Sequence, residues 1–597
     1  MNDSIDSAAA SNAGKYAGKY APRDWHPDER PTMPGGPSFP AHSTPRRVAF
    51  FLIGTLVTLT GGLGNALVTV NLVNLQGTLG AFAAETNWLP AAYVMTNVSM
   101  NLLLVKFRQQ FGLRAFTEFF LVLYALVTFA HLFVNDLGSA IAVRAAHGMV
   151  GAALSTLGLY YTLQAFKKEW RSKGIVISTG ISQLPQPIAY LFSAGLLEFA
   201  EWRGLYMFEL GLTLLTLAGV LWIKLPPGDR FKAFRPTDFL TFMLFAPGMA
   251  LLCAALTFGR VLWWTEQPWV GVALAASIFL IVAAIAVEHN RKNPLLNLRW
   301  LTNGTIARLF LAMMLVRVVL SEQSIGAVGF LRMVGLNNDQ LQTLFLVVLL
   351  STILGIVVSA VILRPPHLMG PQVIALLIMA LGAWIDSHAT NLTRPVEMYV
   401  SQGMLAFGGT LFLGPLLLTL LGSVIANPGN LITFSVLFGL TQNLGGLLGS
   451  SLLGTYQVMR EKFHSSSLAE QLSSLDPLVT ARIQQGGAAY ARVLTDPAAR
   501  TRQGLSVLSQ GATREANILA YNDVFLMIAI LAAALALWIF GRALWLTYCA
   551  APPAPAPAAP AVRDGATDSP IATAAGTPPE PMPAAGAAPQ HPTNRAL

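Results

Sequence analysis

An apolar run from Leu309 to Phe330 carries two ionisable side chains, Arg317 and Glu322, in its middle. Each would cost about 2.5–3.5 kcal/mol at the centre of a helix exposed to lipid, so their presence indicates a function inside a helix bundle. Five residues along a helix correspond to a rotation of about 140° and a rise of about 7.5 Å, so the two groups are poorly placed to pair. We therefore expect each of them to face a different partner.

Arg144 and His147 form a second candidate pair, within the apolar stretch RAAHGMVGAAL. Three residues apart, they lie on the same face of a helix. Arg144 could stabilise a deprotonated acid or a polar substrate, or could extend from a helix end to the membrane interface. His147 could relay protons or could be a packed, hydrogen-bonded histidine. With Arg317 and Glu322 they are the predicted proton-coupling residues.

Uncharged amides recur in the other apolar stretches. They could hydrogen-bond a substrate in a central cleft, or could hold neighbouring helices together, which is the commoner role of such groups in membranes. The candidates are Asn65, Asn71, Asn97, Asn101, Gln402, Gln442 and Asn443.

The amino-acid composition indicates the class of protein in which these residues lie. Of the 597 residues, 54% are apolar and 11% are charged. Ordinary globular proteins have about 25% charged residues, so a membrane protein is indicated. The net charge of +9 is spread over short basic clusters between apolar runs, which favours contact with the lipid bilayer over nucleic acid. No metal-ligand, Ser/His/Asp, Walker or phosphate-binding spacing occurs, so we expect no enzyme, no metal and no cofactor.

A window of about 20 residues predicts fourteen membrane-spanning helices. The short connections with even numbers contain fifteen lysines and arginines, and those with odd numbers contain four. Because cytoplasmic loops retain positive charge, this asymmetry supports the span count and predicts that both termini are cytoplasmic. The spans lie near residues 47–70, 87–105, 115–134, 139–164, 174–197, 204–223, 237–258, 268–287, 309–330, 341–363, 370–385, 398–425, 429–454 and 519–548.

Two polar ends and one long connection lie outside the spans. Residues 1–45 and the Pro/Ala-rich residues 549–597 are predicted to be disordered cytoplasmic tails. The connection over residues 456–516 is polar and partly helical in pattern, and loops of this length cross the membrane largely regardless of charge, so we expect it on the periplasmic side.

Several connections also carry short motifs in a characteristic order. They are NWLPAAYVM, RAAHGMVGAAL, EWRGLYMFE, VEHNRKNPLLNLRWL, QNLGGLLGSSLLGTY and EANILAYNDVFL. Together with the span count they resemble the fourteen-helix drug:proton antiporter branch of the major facilitator superfamily, the EmrB/QacA type, from about Leu63 to Trp545. The resemblance implies an all-α membrane protein with the major facilitator fold. Its parts would be a six-helix bundle over residues 46–225, two inserted helices over 236–290 and a second six-helix bundle over 304–548.

The first span departs from that branch in a way that affects proton coupling. Where the branch has an Asp, an Asn and a Pro, this sequence has Gly64, Thr69 and Val73, so the intramembrane acid is missing. We hypothesise that Glu322 takes over its role. Burial would favour the neutral carboxyl, and a cation that approaches as the cleft closes would favour the charged one. The alternative is that Glu322 belongs to a structural polar network.

Two further motifs of that branch are only partly present in this sequence. The loop after the second span keeps Gly112 and Arg114 of the gating motif, and the fifth span keeps Pro185, Pro187 and Gly195 of the antiporter motif. We expect the two prolines to bend the fifth span.

The resemblance implies an inner-membrane transporter that exports amphipathic or aromatic drugs and other toxic compounds in exchange for protons, by alternating access. A periplasmic adaptor and an outer-membrane channel would be its partners, with the connection over 456–516 as a docking surface. Two alternatives stay open: a facilitator or importer of a specific solute on the same fold, which the missing acid would suit, and a non-transporting receptor or assembly component.

Overall fold

The computed structural model describes residues 25–26, 29–31, 35–291, 294–364, 368–426, 430–473 and 475–548. Every regular element in these ranges is helical, which confirms the predicted all-α fold class. The predicted C-terminal tail over 549–597 and most of the predicted N-terminal tail lie outside the described residues.

The helices of the first half and the inserted pair are numbered in chain order. They are α1 (Thr44–Val70), α2 (Leu72–Leu79), α3 (Ala83–Thr86), α4 (Trp88–Phe111), α5 (Leu113–Ala130), α6 (Leu137–Gln164), α7 (Arg171–Ile181), α8 (Pro185–Trp222), α9 (Pro236–Val261) and α10 (Pro268–His289).

The remaining helices form the second half. They are α11 (Leu298–Leu301), α12 (Gly304–Leu320), α13 (Val328–Met333), α14 (Asn338–Ile362), α15 (Met369–Asp386), α16 (Tyr399–Ala426), α17 (Leu431–Gln471), α18 (Pro477–Ala488) and α19 (Pro497–Tyr548), with a π-helical turn over Glu322–Ala327 between α12 and α13.

Thirteen helical runs among the described residues are long and apolar enough to cross a membrane. One of them, Lys168–Trp222, has 55 residues, and its backbone leaves the helical region at Ala200 and Glu201. Because a single crossing needs about 20 residues, this run accommodates both the fifth and the sixth predicted spans. The prediction of fourteen spans therefore fits the structure.

Local sequence determines where several helices begin and end. The side chain of Asp136 accepts a hydrogen bond from the backbone N–H of Ser139 and caps the start of α6. Pro236 and Pro268 stand in the first turns of α9 and α10, where a missing N–H costs no hydrogen bond. Gly112 ends α4 with a φ of 87°, a left-handed value that favours glycine.

The helices form two halves with the inserted pair beside them. Helices α1, α4, α5, α6 and α8 pack on one another in the first half, as do α12, α14, α15, α16 and α17 in the second, and α9 packs on α10, α4 and α17. We call the end of the bundle where α1 begins, near Thr44, the proximal face. The end where α1 finishes, near Val70, is the distal face.

The described part of the predicted N-terminal tail is packed against the proximal face. The hydroxyl of Ser38 donates to the carbonyl of Pro227 (2.8 Å), and Gln164 donates to the carbonyl of Ser38 (2.9 Å). Phe39 is buried, with the guanidinium of Arg171 3.8 Å from the centre of its ring. The prediction of a disordered tail was therefore wrong for residues 35–43, because their apolar and polar groups find partners on the bundle.

The predicted long connection over 456–516 consists mainly of helix. Helix α17 extends to Gln471, well past the predicted span over 429–454. Helix α19 begins at Pro497, ahead of the predicted span over 519–548. Arg460 on α17 and Asp523 on α19 form an ion pair (2.6 Å), and the imidazole of His464 lies 2.6 Å from the same carboxylate.

Candidate functional site

A central cavity of about 350 Å³ lies between the two halves. Its wall is about half polar: amide and hydroxyl side chains alternate with small and aliphatic ones, and one guanidinium projects into it. The polar lining residues are Asn65, Thr69, Ser182, Gln183, Gln186, Arg317, Ser321, Gln323, Ser324, Thr352, Thr410, Gln442, Asn443 and Ser450.

Three of the seven amides predicted to face a cleft line this cavity, namely Asn65, Gln442 and Asn443. The other four lie elsewhere in the bundle, and three of them form hydrogen bonds between helices, which was the alternative interpretation. Asn71 donates to the hydroxyl of Ser193 on α8 (2.8 Å).

The remaining amides show the same pattern. Asn97 donates to the carbonyl of Gly148 on α6 (3.2 Å), and Asn101 lies against α17 at Gly439. Gln402 binds two carboxylates of other helices.

Arg317 reaches the cavity, and Glu322 does not. The guanidinium of Arg317 donates to Oε1 of Gln183 and to the carbonyl of Gln442, both at 3.1 Å. Glu322 is fully buried in the second half, behind the wall formed by Gln323 and Ser324. The prediction that Arg317 and Glu322 face different partners is thus confirmed.

Glu322 forms a carboxylate pair with Asp386 at the end of α15. The side-chain nitrogen of Gln402 donates to Oε1 of Glu322 (3.1 Å) and to Oδ2 of Asp386 (2.8 Å), so one amide joins both groups. The hydroxyl of Ser401 donates to the other oxygen of Asp386 (2.5 Å). Over the described residues, no ion pair reaches either carboxylate. Two negative charges buried side by side without a cation would be costly, so this pair is an unusual feature of the bundle core.

The first half contains a second buried carboxylate, Glu209 on α8, which sequence reasoning missed. Its Oε1 accepts a hydrogen bond from the hydroxyl of Tyr124 on α5 (2.8 Å) and lies 2.9 Å from Nε2 of His147 on α6. All three side chains are buried. Three helices of the first half therefore meet at one acid.

Arg144 connects this acid to the cavity wall. Its Nη1 lies 3.1 Å from Nδ1 of His147, and its Nη2 donates to Oδ1 of Asn65 (2.8 Å), which lines the cavity. Because a guanidinium only donates, Nδ1 of His147 must accept, which leaves the imidazole proton on Nε2, facing Glu209. Arg144 is fully buried, so the interpretation of an arginine that extends to the membrane interface is wrong.

Glu209 fills the space next to Gly64, the position at which the resembled antiporter branch has an acid. A Cβ atom at position 64 would lie 2.7 Å from Cε1 of His147 and would be closer still to Oε1 of Glu209 and the hydroxyl of Tyr124. No side chain larger than glycine fits there while Glu209 is in place. A carboxylate from α8 thus occupies the space beside Gly64 of α1.

The fifth predicted span, where we expected two prolines to bend the helix, is interrupted between α7 and α8. Helix α7 ends at Ile181 and α8 begins at Pro185, and Pro185 packs against Gly62 of α1. Both Pro185 and Pro187 line the cavity. Gly195 lies within α8, where an added Cβ would meet no atom within 4 Å.

The residues retained from the gating motif lie at the proximal face. Arg114 donates to the carbonyl of Leu225 (3.0 Å), and an added Cβ at Gly112 would lie 2.5 Å from Nε of Arg230. Beside them Asp238, buried at the start of α9, pairs with Lys106 (2.5 Å) and Arg291 (2.6 Å).

Contacts between the two halves lie on both sides of the cavity. On the distal side the rings of Tyr190 and Phe345 stack with centroids 3.7 Å apart, and Arg332 donates to the carbonyl of Val70 (3.0 Å). On the proximal side α7 packs directly on α14 and α16.

The family model described as Major Facilitator Superfamily matches residues 54–450. The chain belongs to the Major Facilitator Superfamily. It is therefore a multi-pass membrane transporter and not an enzyme.

Relatives of this superfamily member are distant. An uncharacterized MFS-type transporter of Bacillus subtilis, YhcA, is 22% identical over 437 residues, which are 71% of this chain and 80% of that protein. An MFS-type transporter of the acurin A biosynthesis cluster of Aspergillus aculeatus is 22% identical over 270 residues, 44% of this chain and 48% of that protein. The human organic anion transporter MFSD10 (TETRAN) has a similar fold, with a TM-score of 0.51, 12% identity and coverage of 82% of this chain and 100% of that one.

Proposed function

We propose that this superfamily member exports amphipathic or aromatic compounds in exchange for protons, by alternating access of the central cavity. The observation that carries the proposal is the Glu209 carboxylate in the space beside Gly64, linked through His147 and Arg144 to the cavity-lining Asn65. A proton on Glu209 would change the charge of this network. The change would reach the cavity through the side chains of His147 and Arg144.

The carboxylate pair of Glu322 and Asp386 supports proton coupling from the second half. Gln323 lines the cavity and donates to the backbone carbonyl of Gln402 (3.2 Å). The side-chain nitrogen of Gln402 donates to both acids. π-Helical turns such as Glu322–Ala327 are frequent at functional sites. We assign Glu322 to this second proton site.

The two sets of contacts between the halves supply the gates. In the proposed mechanism, the distal contact of Tyr190 with Phe345 and the proximal contact of α7 with α14 open in alternation around a fixed midplane site. The positive charge of the proximal connections supports a cytoplasmic position for that face and for both termini, in the proposed inner-membrane protein.

The helical extensions of α17 and α19 suit the docking of a periplasmic adaptor, which would pass substrate to an outer-membrane channel. They are joined by the ion pair of Arg460 with Asp523. If deletion of residues 465–510 leaves export across the complete envelope unchanged, the adaptor has no role at this surface.

Proteoliposomes with an imposed pH gradient test the proposal. The Glu209→Gln change keeps the shape of the side chain and removes its charge, so we expect it to abolish substrate-linked proton movement and to retain exchange of labelled for unlabelled substrate. The control is Glu118→Gln, which removes an exposed carboxylate paired with Lys224 (3.1 Å). Intact proton coupling in Glu209→Gln would refute the assignment.

The facilitator alternative rests on the missing acid at position 64 and on the reduced gating loop. The Glu209 carboxylate beside Gly64 weakens the first of these two arguments. Substrate flux without any proton movement in the unmodified protein would restore it.

A further inference from the structure

The central cavity contains one charged group and no counter-charge. Arg317 is the only titratable side chain among the described residues that line it. Its guanidinium contacts two neutral acceptors, Gln183 and the carbonyl of Gln442, and its Nε atom is buried without a hydrogen-bond partner. Across the described ranges, Arg317 takes part in no ion pair.

The backbone around Arg317 is built to hold its side chain. On α17, an added Cβ at Gly445 would lie 2.9 Å from Cβ of Arg317, and one at Gly446 would lie 3.7 Å from its Nη2. The small residue at Gly445 lets α17 approach α12 beside Arg317, and the space above Gly446 lies in ordinary contact distance of the guanidinium. The arginine side chain is therefore held between these two helices.

The buried acids near the cavity do not neutralise Arg317. Glu209 lies beside His147, which contacts Arg144. Glu322 and Asp386 both accept hydrogen bonds from the side chain of Gln402. An uncompensated cation in a bundle core is costly, so a site of this kind gains most from a ligand that supplies the negative charge.

The rest of the wall selects a polar ligand and opposes a lipophilic cation. Cation-binding pockets use carboxylates or several aromatic faces, and the described lining contains no carboxylate and a single aromatic ring, that of Phe345. Hydroxyls and amides instead offer hydrogen bonds, and a volume of about 350 Å³ suits a small molecule.

From this arrangement we infer that the transported substrate is a small organic carboxylate, whose carboxylate group binds Arg317 and whose polar substituents bind the amides and hydroxyls of the wall. Arginine matches the planar geometry of a carboxylate with two parallel N–H donors. This inference rests on the proposed transport function and specifies its substrate class.

The test measures equilibrium binding to the purified full chain in detergent, by titration calorimetry. The probes are two matched sets: 4-hydroxybenzoate, 4-hydroxybenzamide and 4-hydroxybenzylamine, and phenylacetate, phenylacetamide and phenethylamine. Within each set the shape is nearly constant and only the charge changes. We expect at least one carboxylate to bind about tenfold or more tightly than its amide, and the amines not to bind.

Variants of Arg317 assign the preference to this cavity. Arg317→Gln should reduce carboxylate affinity about tenfold or more and remove the preference over the amide, whereas Arg317→Lys should keep the preference. Arg308→Gln, on the same helix and outside the cavity, should bind like the unmodified protein. Thermal unfolding of each variant verifies that it is folded.

Tighter binding of an amine or amide, no binding of either carboxylate, or an unchanged preference in folded Arg317→Gln would overturn the inference. Because binding at equilibrium needs no pH gradient, its outcome is separate from that of the transport assay. A chain that binds carboxylates without moving protons contradicts the proposed function alone. A chain that exchanges amines for protons contradicts the substrate class alone.

Discussion

The Gly180→Ala change should shift this transporter toward the conformation that is open at the proximal face. Gly180 on α7 faces Ile356 on α14, and these helices belong to different halves. An added Cβ would lie 2.8 Å from Cδ1 of Ile356 and closer still to Cγ1, whereas carbon atoms in contact are separated by about 3.5–4.0 Å. The added methyl group therefore collides with Ile356 while the proximal gate is closed.

The size of the shift follows from the cost of overpacking. Inserting a methyl group into a well-packed contact costs about 1–3 kcal/mol. That cost applies only while α7 and α14 are in contact, so the ratio of proximally open to closed molecules should rise about five- to 140-fold.

Labelling of a cavity cysteine measures this ratio. In a background without Cys253 and Cys549, the Gln183→Cys change places a thiol in the cavity wall. A membrane-impermeant maleimide is then applied separately from each face of the membrane. Labelling from the proximal face should accelerate in Gly180→Ala, and labelling from the distal face should slow.

Gly195→Ala is the matched control, because it adds the same methyl group where no atom lies within 4 Å. Its labelling rates should equal those of the background. If Gly180→Ala also leaves both rates unchanged in a folded protein, the contact of α7 with α14 does not form the proximal gate.

Three further changes test other parts of the structure. Tyr124→Phe removes the hydroxyl donor to Glu209 and should lower stability by about 1–2 kcal/mol in thermal unfolding, and no loss would mean that this bond contributes nothing. Asp238→Asn leaves Lys106 and Arg291 without their shared carboxylate, so a loss of about 3 kcal/mol is expected; an unaltered unfolding temperature would contradict a supporting role. Gly112→Ala should cost about 1–2 kcal/mol because φ is 87°, and a stable variant would show that this turn relaxes easily.

The sequence predicts the architecture well because hydrocarbon requires long apolar helices and loop charge follows membrane sidedness. The break before Pro185 is equally local, since proline removes a backbone donor. These features depend only on residues that are close together in the sequence.

The acid sites were harder to predict because they depend on contacts between distant helices. Glu209 ends the motif EWRGLYMFE, and only the packing of α8 against α1 and α5 shows that it faces Gly64. Asp386 follows an apolar run and looks like an interfacial residue until Gln402 joins it to Glu322.

The surroundings of Glu322 were predictable only in part. Rotation along the helix correctly predicts that Arg317 and Glu322 face different partners. Only the fold shows that Glu322 faces the interior of the second half while Gln323 and Ser324 face the cavity.

The Glu209 carboxylate beside Gly64 also bears on how proteins of this kind are sorted into transport classes. An alignment scores each column separately, so a glycine in the column where the resembled antiporter branch has an acid counts as a lost function. In three dimensions a carboxylate from α8 occupies the space beside that glycine. Homologues with glycine in that column are best classified by checking whether a distant column has gained a carboxylate in exchange.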